Sequence, residues 1–405
     1  MPALTTRVTV VGIGADGWPG VPGRLREVVL HADVVLGGTR QLDLLPDIAT
    51  QSREPWPSPL REGLGQLLER HAGRSVVALA SGDPLLSGIG STLVEVLGSD
   101  AVSVEPALSS VTLARARMGW ADETTATVSV VGRELHRVLR ELAPGRRLVV
   151  LSSDDRTPAA LAALLASVGY GGSRMTVLAD LGSDRETRVD GSAGTWSAEV
   201  APLNVVALEL AGPVIGSWAA GLPDDAYEHD GQLTKRDLRA SALARLAPQP
   251  GQLLWDVGAG AGTVGIEWLR AHPTCRAVAV ERDPDRAARV TRNAARLGVP
   301  ALRVVTGVAP DCLAELPRPD AVFVGGGATS PGLLDRCLQA LGPGGRMVVH
   351  GVTLETEAEL ARMRAEHGGE LTRIAVEHAE PIGGFTGWTP ARAVTQWAWT
   401  EGASR

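Results

Sequence analysis

Apolar, β-branched runs alternate with helix-period stretches along the whole chain. In the first half the strand-like runs are RVTVVGIG, DVVLGG, SVVALAS, VSVEP, TVSVVG, RLVVLSS, RMTVLADLG and, closing the set, NVVALEL. Amphipathic stretches fit between them. In PAALAALLASVG, Gly169 follows the last apolar turn and predicts a helix stop. Such alternation predicts an α/β architecture. The periodicity lapses over AGPVIGSWAAGLPDDAYEHDG, residues 211–231, where Gly, Pro and acidic residues leave no regular face. A fresh series then begins with LLWDVGAG, RAVAVERD, RVVTG, DAVFVGG and RMVVHGV. The pattern predicts an α/β domain over residues 1–212, a connection over 213–230 and a second α/β domain over 231–405. No short-period repeat or long low-complexity segment interrupts either half.

Composition narrows the function classes. A chain of 405 residues fits two or three domains at about 150 residues each. The hydrophobic fraction of 44% and charged fraction of 21% are those of globular chains with real cores. A net charge of −7 argues against a general nucleic-acid binder, which usually carries a basic face. The opening MPALTTRVTVVGIGADG lacks the basic and apolar regions of a signal peptide. No apolar run approaches the roughly 18 residues that span a bilayer. A cytoplasmic protein without a membrane partner is expected. Cys275, Cys312 and Cys337 show no CxxC spacing, so neither a zinc site nor a disulfide framework is indicated. Lys235 is the only lysine among 39 basic residues. A compact ammonium there, where a planar guanidinium would not fit, is the functional reading of that exception; chance is the other.

The sharpest motif is LLWDVGAGAGTVGIEWL. An apolar strand ends at Asp256, and Gly258, Gly260 and Gly262 form a loop that opens a helix. Glycines are needed where the backbone turns tightly and a ligand presses on it. The next strand, AVAVERD, ends at Glu281, 23 residues after Gly258; an acid about 20 positions on can accept from ribose hydroxyls. The dinucleotide fingerprint is GxGxxG, and Thr263 stands at its third glycine, so a dehydrogenase reading fails on spacing.

Strand, GxGxG loop, helix, strand and acid in this order resemble the class I methyltransferases. The resemblance implies a Rossmann-like domain whose Gly258, Ala259, Gly260, Ala261, Gly262 and Glu281 hold S-adenosylmethionine. In TGVAPDCL, Val308 stands where many members carry an acid, leaving the backbone near Ala309 as the adenine contact. DAVFVGGG lacks the (N/D)PPY-type signature of enzymes that methylate RNA or protein. GPGGRMVVHGVTLET resembles the fifth strand and leaves His350 and Glu355 near the carboxyl ends of the sheet. With Lys235 these are the catalytic candidates; a histidine so placed can be an acid or base, or only a hydrogen-bonding group.

In the first half, VTVVGIGADGWPGV ends a strand at Gly12 and Gly14, and VVALASGDPLLSGIGSTL and VEPALSSVTLARARMGW follow. Together they resemble the tetrapyrrole methylase family, a two-lobed class III fold that holds S-adenosylmethionine between its lobes. Ala15 stands where the usual opening motif has proline. By position, Gly12, Gly14, Gly82, Asp83, Ser109 and Ser110 would line that cleft. LTKRDLRASALARLAP resembles the methyltransferase and decarboxylase partner of the same branch in cobalamin biosynthesis, placing Thr234, and with it Lys235, beside the second cofactor.

Fused in this order, the halves are similar to the precorrin-6B C(5,15)-methyltransferase (decarboxylating) family. That resemblance implies one S-adenosylmethionine site per domain, no metal, and a precorrin tetrapyrrole as substrate. Meso carbons 5 and 15 would be methylated and the ring C acetate decarboxylated, converting precorrin-6B to precorrin-8. The polyanionic substrate makes Arg236, Arg239 and Arg392 candidate carboxylate partners. A homo-oligomer without nucleic-acid partners is expected. Two alternatives stand beside this one. In one, a class I enzyme acts on RNA or protein, with the first domain a regulatory module that binds S-adenosylmethionine. In the other, one domain is a non-catalytic sensor.

Overall fold

The structure, a computed structural model, describes residues 7–214 and 217–402. It divides into two compact units, Met1–Leu135 with Ala143–Pro213, and His136–Leu142 with Val214–Arg405.

The first unit holds two sheets. Strands β1 (Val8–Ile13), β2 (Val34–Gly37), β3 (Ser52–Pro55), β4 (Val76–Ser81) and β5 (Val102–Glu105) pair in the order β3-β2-β4-β1-β5, all parallel. Alternate residues feed two apolar layers. Val8, Val10, Leu36 and Ala78 face one side, and Val11, Ile13, Val35 and Leu79 the other. Covered on both faces, such strands read as continuous β-branched runs. The second sheet is mixed: β6 (Thr125–Ser129), β7 (Arg147–Leu151), β8 (Arg174–Ala179), β9 (Thr187–Ser192) and β10 (Asn204–Glu209) pair as β6-β7-β10-β8-β9. As the sequence predicts, the helix Thr157–Ser167 ends just before Gly169, whose φ of 82° suits a residue without a Cβ.

The second unit is built on one seven-stranded sheet. Its strands are β11 (Leu253–Val257), β12 (Arg276–Glu281), β13 (Arg303–Thr306), β14 (Ala321–Val324), β15 (Arg346–Gly351), β16 (Glu370–Ile374) and β19 (Val394–Thr400). The order is β13-β12-β11-β14-β15-β19-β16, with only β19 antiparallel to its neighbours. A separate hairpin, β17 (Glu377–Ile382) with β18 (Phe385–Pro390), is inserted before β19. Leu254, Ala279, Phe323 and Val348 line one face of the large sheet, and Trp255, Val280, Val322 and Met347 the other.

The stretch read from sequence as a connection is structured over its later part. Leu222 and Tyr227 are buried in the core of the second unit, and Glu267 accepts from the Gly221 and Leu222 amides at 2.6 and 2.9 Å. The apolar side chains of this segment are too few and too irregular to show a period, so the pattern concealed it. The strand readings hold for the buried runs; β3, β9, β16, β17, β18 and β19 were not among them.

Candidate functional sites

In each unit the glycine turns gather where parallel strands end. In open α/β sheets such carboxyl ends form the ligand crevice.

In the first unit, register places Gly12 opposite Ala80 and Ile13 opposite Ser81, so the turns after β1 and β4 meet. The contact is tight. A Cβ on Gly12 would lie 2.1 Å from the Gly82 carbonyl oxygen and 2.6 Å from the Ala107 nitrogen. A Cβ on Gly82, at φ 56°, would lie 3.2 Å from the Leu108 and Ser109 backbone. Gly14 has Asp16 Oδ1 in its Cβ direction at 2.5 Å. Asp83 is half-buried, and its Oδ1 accepts from the Leu85 amide at 2.9 Å, closing an Asx turn. Ser109 is 7% exposed and its hydroxyl accepts from the Thr112 amide at 3.0 Å. It caps the helix Ser110–Met118. The structure therefore brings Gly12, Gly82, Asp83, Ser109 and Ser110 to one place, with the Ser109 side chain already committed to the helix.

In the second unit the loop after β11 repeats the logic with different parts. A Cβ on Gly258 (φ 68°) would lie 2.9 Å from the Gly326 backbone, and one on Gly262 (φ 77°) 2.6 Å from Val290 Cγ1. Any side chain at either position meets both a strained conformation and an occupied space. Ala261 is fully buried, and Gly262 starts the helix Thr263–Ala271. Glu281, 5% exposed at the end of β12, accepts from the Gly260 amide at 2.8 Å and the Asp283 amide at 3.1 Å. Each carboxylate oxygen keeps a second lone pair for a hydroxyl donor. Asp256, which sequence reading passed over as a mere strand end, is fully buried and accepts from the Gly265 amide at 2.8 Å. Burial pushes its carboxyl up to about 7 against that hydrogen bond, and the Glu281 charge adds to the rise. Ala309 follows β13 beside Val308, which is 60% exposed.

Gln232 approaches the glycine loop from the segment before β11: its carbonyl lies 3.2 Å from where a Gly260 Cβ would be. Thr234 and Lys235 follow directly. Lys235 is exposed, precedes the helix Arg236–Leu246 and has Nζ 3.7 Å from Asp224 Oδ2. Arg239 corrects the sequence reading. It was a candidate partner for substrate carboxylates, yet its side chain is wholly buried. It donates to Glu267 Oε1 at 2.5 Å and to the Thr234 carbonyl at 2.5 Å, and it stacks over Tyr227 at 4.9 Å. A guanidinium removed from water must be paired, and this one is paired internally. Arg236 and Arg392 are exposed.

His350, read from sequence as an acid or base or only a hydrogen-bonding group, is buried and makes a hydrogen bond. It is 8% exposed, Nε2 lies 2.9 Å from Gln396 Oε1, and Phe323 meets it edge-on at 5.0 Å. Burial, despite the Gln396 hydrogen bond, lowers its pKa to about 4, so the ring is neutral near pH 7. Glu355 is exposed in the first turn of the helix Leu354–His367, where backbone and Thr353 hydrogen bonds hold its carboxyl below the usual range. That is a helix-start role. Among the described residues, no group of three or more His, Cys, Asp or Glu is placed to hold a metal ion. No helix among them is long and apolar enough to cross a membrane.

Comparison with known proteins gives both halves a family. Residues 7–196 match the model of the tetrapyrrole (corrin/porphyrin) methylases and residues 225–401 that of the precorrin methyltransferase domain. A precorrin-6Y C(5,15)-methyltransferase [decarboxylating] from a Sinorhizobium species is 46% identical over 98% of this chain and 96% of its own length. A protein of the same name from Mycobacterium tuberculosis is 46% identical over 97% of this chain and all of its own. Among solved structures, the C-terminal domain of the Rhodobacter capsulatus precorrin-6Y C5,15-methyltransferase is 45% identical. It covers 46% of this chain and 100% of its own, with a TM-score of 0.44. On the strength of the two full-length relatives, the chain belongs to the precorrin-6Y C(5,15)-methyltransferase (decarboxylating) family.

Proposed function

We propose that this chain converts precorrin-6B to precorrin-8, methylating carbons 5 and 15 of the reduced macrocycle and releasing the ring C acetate carboxyl as carbon dioxide. The observation that carries the reading is 46% identity maintained over nearly the whole length of relatives so named. S-adenosylmethionine supplies an electrophilic sulfonium methyl. The glycine cradles around Gly12, Gly14 and Gly82, and around Gly258–Gly262, fit a ligand that packs against bare backbone; we assign one cofactor site to each unit. In the first site Asp83, Ser109 and Ser110 complete the lining. In the second, Thr234, Glu281 and the Ala309 backbone do so.

The chain's own task is alignment and exclusion of water. An electron-rich meso carbon needs no protein nucleophile, and near-attack positioning is worth on the order of 7–11 kcal/mol of barrier. Methylation leaves a cationic conjugated system next to the acetate-bearing carbon. Electrons of the carbon–carboxyl bond then flow into the ring as carbon dioxide leaves, a step that a dry pocket favours. We assign this decarboxylation and one methylation to the second unit and the other methylation to the first. The net charge of −7 does not favour the reading with RNA as substrate.

We place the enzyme in the cytoplasm and infer that it self-associates. The β17–β18 hairpin displays Ile382, Phe385 and Trp388 at 67%, 82% and 72% exposure, more apolar surface than an isolated ribbon usually shows to water. A second copy of the same hairpin is the partner proposed. Sedimentation of Phe385→Ser/Trp388→Ser beside the parent chain tests it: dissociation is expected, and an unchanged mass rejects it. The activity itself is tested by product mass after incubation with S-adenosylmethionine and the reduced precorrin. Two methyl groups gained with one carbon dioxide lost is the expected result. An unchanged substrate rejects the assignment.

A further inference from the structure

Within the first unit, Arg40 lies beside the Gly82 turn and, like Arg53 and Arg74, has neutral hydrogen-bond partners. Arg24, Arg61 and Arg70 each close an ion pair, with Glu105, Glu95 and Glu54, at 2.8–2.9 Å. Arg40 follows β2 and reaches sideways to the end of β4, where its Nη2 donates to Ser81 Oγ at 3.1 Å. Ser81 immediately precedes the Gly82 turn. With the Gln41 amide oriented to satisfy both its ends, Gln41 donates to the Gly38 carbonyl at 3.2 Å and accepts from the Ser81 hydroxyl at 2.6 Å. The Ser81 oxygen therefore points its lone pairs at Arg40, and the Gln41 oxygen accepts from the same Nη2 at 3.3 Å.

Only Nη2 takes part in these contacts. The other donors of the fork are left over, and no carboxylate among the described residues comes within ion-pair distance of Arg40. Asp180, at the end of β8 in the other lobe, is the acid that acts on it, from beyond that distance. Burial of the head group lowers the Arg40 pKa, and Asp180 opposes the change. Arg40 as a whole is exposed, and an arginine held by neutral partners and short of a carboxylate suits an anion with two oxygens.

We infer that Arg40, hydrogen-bonded to Ser81 and Gln41 beside the Gly82 turn, binds a carboxylate of the ligands in the first unit's site. Two ligands could bring it: an acetate or propionate side chain of the tetrapyrrole, or the methionyl end of the cofactor. The inference rests on the methyltransferase reading above, and its test separates the two sources.

The test uses the full chain as parent, Arg40→Gln and Arg40→Lys. Steady-state methyl transfer gives kcat and the KM for tetrapyrrole and for S-adenosylmethionine. Calorimetric titration with S-adenosylhomocysteine, which has the same carboxylate and no transferable methyl, counts cofactor sites. In Arg40→Gln, a KM for tetrapyrrole raised about 10-fold or more with cofactor binding intact identifies the substrate carboxylate. Loss or weakening of one of two S-adenosylhomocysteine sites identifies the cofactor carboxylate. Arg40→Lys should recover part of either loss, because it restores charge without the fork. A folded Arg40→Gln with both KM values and both binding sites unchanged overturns the inference. If the parent makes no methylated product, the function falls instead, and the titration alone decides Arg40: one site lost in the variant supports the role, none lost rejects it.

Discussion

The two glycine cradles, each proposed here to hold S-adenosylmethionine, are built by different physical means. Around Gly12 and Gly82 the work is done by backbone. Two strand ends abut so closely that a single Cβ would collide with a carbonyl at 2.1 Å, and the nearby acid, Asp83, is half-exposed in a turn of its own. Around Gly258–Gly262 the loop hangs on buried carboxylates. Glu281 holds the Gly260 amide, Asp256 the Gly265 amide, and Glu267 fastens the segment that carries Thr234. A cradle of backbone responds to volume and hardly to pH. A cradle tied by buried acids responds to charge.

The largest break in this comparison should come from Glu267→Ala. It removes the buried carboxylate of Arg239 and leaves it only Asp224, 3.3 Å away at its edge, and about 3 kcal/mol of stability should be lost from the second unit. Chemical denaturation followed by the tryptophans of that unit, Trp255 and Trp268 among them, measures the loss. A shift under about 1 kcal/mol would mean that the pair is not what fastens the segment.

Acid–base linkage should separate the units next. Asp256 has a native pKa raised to about 7 from the ordinary 3.8, so between those values the folded state binds more protons than the unfolded one. Stability of the second unit therefore falls as pH rises towards 7 and is level above it. From pH 5 to pH 8 the loss should be about 3 kcal/mol, and Asp256→Asn, which can still accept from Gly265, should abolish it. Unfolding midpoints at the two pH values decide this; equal slopes in parent and variant would contradict it.

Volume should discriminate in the opposite direction. Gly12→Val is expected to cost about 100-fold in one methyl transfer while the other, with decarboxylation, continues. Gly258→Val should do the converse. Product masses reveal which step is lost, and loss of every step from either variant would dissolve the division of labour. Lys235→Arg should be the mildest change, within about 5-fold of parent activity, because its one ion pair is exposed and 3.7 Å long. A larger loss would restore a specific role for the lone lysine.

How legible all this was in the sequence depended on burial. The β-branched runs of β1, β4, β11, β12 and β14 declared themselves because central parallel strands are apolar on both faces. SREP and TRVDGS, at sheet edges, carry charges and show no alternation. VTQWAWT lies inside the large sheet yet holds Thr395 and Gln396 buried, which disguised it. The glycine loops were readable because close backbone approach leaves a residue-type signature. The side chains around them were harder. His350, Glu355 and Arg239 looked chemical by type and position, and only tertiary contacts reveal a neutral buried ring, a helix-start carboxylate and an internal ion pair. Arg40 was missed for the reverse reason: nothing in GGTRQL marks an arginine whose neighbours leave it short of a carboxylate.

The placing of β19 between β15 and β16 has a bearing on how the second unit comes into being. Strand β16 has β19 as its sole sheet neighbour, and β15 needs β19 to cover its outer edge. During synthesis, strands β11 to β15 can assemble as soon as they leave the ribosome, but their sheet then ends in an unpaired row of amides and carbonyls. Such an edge invites pairing with another nascent chain. Only when residues 394–400 thread into the gap is that edge closed and β16 enrolled in the sheet. Pairing of β19 therefore serves both strands at once, and loss of residues 394–400 would bare the β15 edge and release β16 from the sheet.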